Sequence, residues 1–106
     1  MPKTTTERYD VAEHLRTQEE MAAYLQACLD EPEADAAFIA KALGDIARAK
    51  GMAEVARQTG LSRESLYKAL SGDRSPDFAT ILKVIAALGF GLQVSPALTT
   101  APPPTA

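Results

Sequence analysis

The side chains best equipped for chemistry stand close together: Ser62, Arg63, Ser65, Tyr67 and Lys68, with Arg74 a few residues further on. Leu66, Ala69 and Leu70 are interleaved with them at helical spacing, which sends the polar set to one face of a short helix and the apolar set to the other. Such a face does no covalent chemistry. It offers a guanidinium, a phenol, hydroxyls and an ammonium as directional hydrogen-bonding groups, the set that contacts base edges and phosphate oxygens in a DNA groove. Arg63, Ser65 and Tyr67, near the helix start, are placed to reach bases or phosphates, whereas Lys68 and Arg74 suit phosphates. Glu64 on the same face would repel phosphate; at the second helical position its role is to complement the helix dipole.

Groups for catalysis are scarce. His14 is the one histidine and Cys28 the one cysteine, so an intrachain disulfide and a multi-cysteine zinc site are excluded. His14 has no second histidine or nearby cysteine and reads as a half-buried packing residue; Cys28 sits at an apolar helical position and reads as a small buried hydrophobe. The six glycines are scattered near helix ends and form no phosphate cradle. No catalytic, metal-binding or cofactor-binding residue is expected, and the protein is not expected to be an enzyme. At 106 residues, 46% hydrophobic and 6% aromatic, the chain suits one soluble domain with a modest core. It has no apolar run of the roughly 18 to 20 residues that a membrane span needs, and Met1 to Asp10 lack the apolar stretch of a signal peptide, so a cytoplasmic location is expected.

The elements that position these side chains read as helices. Thr17-Gln18-Glu19-Glu20 fits a capping box, followed by Met21, Tyr24, Leu25, Cys28 and Leu29 at helical spacing, predicting a helix over 17–30. Upstream, Val11 and Leu15 share one side of a short turn or helix. Pro32 suits the first turn of a second helix, whose apolar face is Ile39, Ala42, Leu43, Ile46 and Ala47 and which stops at Gly51 after Lys50. Two short helices follow, at about 52–59 and 62–71. Ala56 is small enough for a close crossing, Gly60 suits a turn needing positive φ, Leu61 plugs the core and Ser62 caps the second helix. Ser75-Pro76-Asp77 reads as cap, first-turn proline and first-turn acid for a last helix with Phe78, Ile81, Leu82, Ile85 and Ala86 on its apolar face. It ends at Leu88-Gly89. Phe90 to Val94 alternates as a short strand would, to pair with a second copy or with another protein's edge. From Ala97 the proline-rich tail is too poor in large apolar residues to fold.

The net charge of −3 conceals a division. Residues 1–40 carry three basic and nine acidic side chains, residues 41–74 seven basic and four acidic, and the remainder only Asp77 and Lys83. The basic middle coincides with the two short helices.

Residues 52–71, with Ala56, Gly60, Leu61, Ser62 and Leu66 in their places, resemble the helix-turn-helix of phage-repressor-like DNA-binding proteins. With the runs Ala42-Leu43-Gly44-Asp45-Ile46-Ala47-Arg48-Ala49-Lys50-Gly51 and Leu61-Ser62-Arg63-Glu64-Ser65-Leu66-Tyr67, the chain is similar to the probable addiction-module antidote family, HigA-like helix-turn-helix antitoxins, from about residue 9 to 95. The resemblance implies an all-α, roughly five-helix phage-repressor-like domain over 9–95; the alternation at 90–94 adds the expected short C-terminal strand, and composition places a flexible N-terminus (1–8) before the domain and a disordered proline-rich tail (96–106) after it. The resemblance further implies a homodimer that binds its operator DNA through Ser62, Arg63, Ser65, Tyr67, Lys68 and Arg74 and neutralises a RelE/ParE-like toxin. Toxins of that class are typically basic, so the acidic segment 7–35 would engage one by complementary charge; the same carboxylates would otherwise serve solubility. A phage-type transcriptional regulator without a toxin partner is the alternative, and a protein-interaction module in which the motif is purely structural is a third.

Overall fold

In the computed structural model, which describes residues 11–73 and 75–96, a 3₁₀ turn at Val11–His14 leads into five α-helices: α1 (Gln18–Leu29), α2 (Ala36–Lys50), α3 (Met52–Thr59), α4 (Arg63–Ala69) and α5 (Phe78–Ala87). Among the described residues there is no strand, and no helix is long and apolar enough to cross a membrane. The expected flexible residues 1–8, Arg74 and the tail from residue 97 lie outside the described residues.

Local chemistry explains the boundaries. Thr17 Oγ1 accepts from the Glu20 amide at 3.0 Å and Glu20 Oε1 accepts from the Thr17 amide at 3.1 Å, the reciprocal pair that opens α1. Pro32 is not in a helix: Ala34 N–H bonds to the Glu31 carbonyl at 3.1 Å, so Pro32 occupies the second position of a tight turn, where its fixed φ is equally favourable. Asp35 then caps α2 by accepting from the Phe38 amide. At the last helix the cap is Asp77, bonded to the Thr80 amide at 2.8 Å, rather than Ser75, because its carboxylate is the stronger acceptor and stands one residue from the first helical position.

The α5 face corrects the reading of its sequence. Val84, Ile85 and Leu88 are buried and Ile81 partly so, whereas Phe78 is 69% and Leu82 41% exposed and Ala86 is exposed. The helix contains two overlapping apolar stripes, and it turns the later one toward α2 and α3. The segment after α5 is no strand either. Gly89, at φ +85°, donates to the Ala86 carbonyl while Phe90 donates to the Ile85 carbonyl, a Schellman closure that folds Phe90 back onto the core. Residues 91–96 then run without regular structure.

The hub is α2, which packs against the 3₁₀ turn, α1, α3 and α5. Leu43, Ile46, Val55, Leu66, Val84 and Leu88 are fully buried at the centre, each stabilising the fold by about 1.5–3 kcal/mol. Gly44 permits a close approach: a Cβ there would stand 2.8 Å from the Leu70 carbonyl oxygen, so the end of α4 lies directly on the middle of α2. Cys28 is buried as expected, but His14 is exposed, because the turn presents Leu15 rather than His14 to the core.

Candidate nucleic-acid interface

Gly60 sits at φ +79°, its amide bonded to the Ala56 carbonyl, so α3 ends in a left-handed turn that reverses the chain within three residues. Thr59 Oγ1 braces that turn by donating to the Ala56 carbonyl and accepting from the Leu61 amide. Leu61 is partly buried against the core, and Ser62 Oγ accepts from the Ser65 amide at 3.0 Å to start α4. Leu66 and Leu70 anchor α4 from below. Ser62, Arg63, Glu64, Ser65, Tyr67, Lys68 and Ser71 are left exposed on its outer side.

The polar residues of this face divide into two classes. Ser62 and Ser65 are engaged with each other, since Ser62 Oγ also donates to Ser65 Oγ at 3.0 Å; their first duty is to hold the helix start. Ser65 also borders a cleft between α4 and the segment Ser75–Asp77. Arg63, Tyr67 and Lys68 are exposed and take no part in that bonding. Glu64 stands in the first turn and its carboxylate lies 3.9 Å from the Lys68 ammonium, an exposed pair weak enough for a phosphate to displace.

Tyr67, 46% exposed, borders three adjoining hollows. One is shared with Arg48, Met52 and Arg63, a second with Lys41, Gly44 and Arg48, and a third with Lys68, Ser71 and Asp73. Two cations of α2 therefore join the α4 set. The sequence pattern alone does not single out Lys41 and Arg48, although they contribute to the basic middle, and Lys41, Gly44 and Arg48 follow the i, i+3, i+7 spacing of one helical face. What places that face beside Tyr67 is the close packing at Gly44.

Arg48 is held from behind. Its guanidinium lies 3.1 Å from Asp45 Oδ1, and the buried Asp45 accepts at Oδ2 from the Tyr24 hydroxyl of α1 at 2.6 Å. Burial, reinforced by the neighbouring Asp45 carboxylate, pushes the Tyr24 phenol well above its ordinary range, and burial also raises the Cys28 thiol. Tyr24 thus stays a donor, fixing the carboxylate that orients Arg48. On α3, Arg57 pairs with Glu54 of its own helix; this hydrogen-bonded contact lowers the Glu54 carboxyl and raises the guanidinium.

Comparison with known proteins matches residues 5–96 to a family described as probable addiction module antidote protein. An uncharacterized protein of Haemophilus influenzae (strain KW20 Rd) is 52% identical over 86 residues, covering 81% of this chain and 87% of the relative. No solved structure matches the chain significantly.

Proposed function

Because the chain belongs to the family of probable addiction module antidote proteins, we propose that it is the DNA-binding antitoxin of a type II toxin–antitoxin module. In this reading, α3, the Gly60 turn and α4 act as a phage-repressor-like helix-turn-helix. The protein represses its own operon as a dimer and neutralises a RelE/ParE-like toxin. The observation that carries the DNA-binding part is the exposed α4 face, where Arg63, Tyr67 and Lys68 adjoin Lys41 and Arg48 of α2 in a chain that is acidic in total.

The roles follow from geometry. Arg63 at the start of α4 and Tyr67 one turn later enter the major groove, where a guanidinium can bond two acceptors of guanine and the ring can meet a base edge or a thymine methyl. Lys41 and Lys68, each bordering a hollow shared with Tyr67, neutralise phosphates, while Arg48, restrained through Asp45 and Tyr24, meets the backbone with little loss of side-chain freedom. Ser62 and Ser65 keep the helix start in register and add hydroxyl contacts. Two such faces in a dimer would lie about 34 Å apart and select a pseudo-palindromic operator.

The test is binding of the purified protein to its own promoter DNA across a salt series, joined to co-expression with the neighbouring reading frame. Lys68→Ala or Lys41→Ala is expected to make the salt slope shallower by roughly one, because each leaves one phosphate un-neutralised and its counterion in place. Rescue of growth and co-purification support the antitoxin role. DNA binding with neither rescue nor co-purification would favour a transcriptional regulator without a toxin.

A further inference from the structure

A second groove runs between α1 and the segment after α5. Leu25, Gln26 and Leu29 border it from α1, and Ile85, Phe90 and Leu92 from the C-terminal side. Leu29 is 48% and Leu92 57% exposed, and Val94, two residues further along the alternation, is 99% exposed. Beside this apolar strip, Gly91–Ser95 makes no hydrogen bond with any other part of the described chain. Apolar side chains next to a run of open backbone donors and acceptors are what an added segment needs: the backbone supplies the hydrogen bonds and the side chains the burial.

The charge carried by and around α1 indicates that of the occupant. Residues 17–40 carry Glu19, Glu20, Asp30, Glu31, Glu33 and Asp35 and no lysine or arginine; Lys50 of α2 reaches α1 only at its first residue, bonding to Gln18 Oε1 at 3.0 Å. Glu19 and Asp30 fall on the α1 face that also bears Ala22, Gln26 and Leu29, and Gln26 Nε2 donates to Asp30 Oδ1 at 3.0 Å. The last turn of α1 has no basic residue to offset the negative end of its dipole. A fitting segment therefore presents apolar side chains flanked by Lys or Arg. None of the residues bordering this groove borders the hollows around Tyr67, so one chain can occupy both surfaces together.

We propose that the groove between α1 and residues 89–93 is the docking site for an apolar, Lys/Arg-flanked segment of the toxin, an assignment that rests on the antitoxin reading above. The probe is the protein encoded by the neighbouring reading frame, co-expressed with this chain and with two double variants. Leu29→Lys with Leu92→Lys changes only exposed side chains and is expected to weaken binding on the order of tenfold or more and to abolish rescue of growth, with thermal unfolding close to the parent's. Glu19→Lys with Asp30→Lys is expected to weaken binding at low salt, with the difference fading at high salt. Binding by the parent chain and equally by both variants would overturn this inference and leave the antitoxin reading standing. Loss of self-association in a sedimentation experiment with partner binding intact would assign the groove to a second copy and overturn it as well. No binding by the parent chain would overturn both readings at once.

Discussion

The face of α4 and the groove beside α1 lie on one small core, yet they share almost no chemistry. Around Tyr67 the exposed groups are mainly cationic or hydrogen-bonding, Lys41, Arg48, Arg63, Lys68 and Ser71, with the carboxylates of Glu13 and Asp73 at the edge. Beside α1 they are leucines, a valine and carboxylates, without a cation between residues 17 and 40. A net charge of −3 describes neither surface. Salt screens distant charges, so the potential at a contact is set by the charges nearest it, and one acidic chain can favour a polyanion at one place and a basic protein at another. The two are joined by the Tyr24–Asp45–Arg48 connection, which runs from α1 to the edge of the α4 face.

That contrast can be broken at the shared core. Leu66→Ala removes a fully buried side chain under α4 and is expected to cost about 2–5 kcal/mol in chemical denaturation. Both proposed binding activities should then fall together; an unchanged denaturation midpoint would mean that α4 is not anchored as described.

A substitution confined to one face should separate them. Arg63→Ala or Tyr67→Ala is expected to cost roughly 1–3 kcal/mol in operator binding and to relax preference at one base position, while unfolding and toxin binding stay at the parent's values. Uniform weakening on every DNA sequence would reassign the residue to a phosphate.

The connection between the faces gives the smallest effect. Tyr24→Phe removes a donor to the buried Asp45 and is expected to cost about 1.5 kcal/mol, the low end for a bond to a charged group because Tyr24 is only partly buried. It also changes the alkaline limb of stability. The folded-state proton affinities of Cys28 and Tyr24 are raised, so their contribution is fully present at neutral pH. It is lost as pH rises through the unfolded-state values of about 8.5 and 10, where the unfolded chain ionises first. A pH series of thermal unfolding should show this decline in the parent and a shallower upper part in Tyr24→Phe.

How far the sequence could be read depended on the range of the interactions. Thr17 with Glu20, Ser62 with the Ser65 amide, and Gly60 at positive φ are settled within four residues, and they stand where the sequence puts them. Pro32 and Ser75-Pro76-Asp77 misled because proline suits a tight turn as well as a helix start, and two acceptors on either side of Pro76 compete for one cap. On α5, the stripes that begin at Phe78 and Ile81 are equally periodic, so periodicity could not tell which one faces inward. The α4 face was legible because its buried partners interleave with it along seven residues, whereas Lys41 and Arg48 come from another helix and left only a charge count. The alternation at Phe90–Val94 was real, but the helix closure at Gly89 took Phe90 into the core and the monomer offers no neighbouring strand.

By itself the sequence determined the five helices, the caps at Thr17 and Ser62, the Gly60 turn, the charge division and the polar set on α4, because each depends on neighbours a few residues apart. Tertiary structure decided which α5 stripe is buried, that α2 lends Lys41 and Arg48 to the α4 face, and that Leu29 meets Leu92 across a groove. These outcomes depend on how helices cross, and a crossing such as that at Gly44 follows from the simultaneous packing of a core whose members lie tens of residues apart.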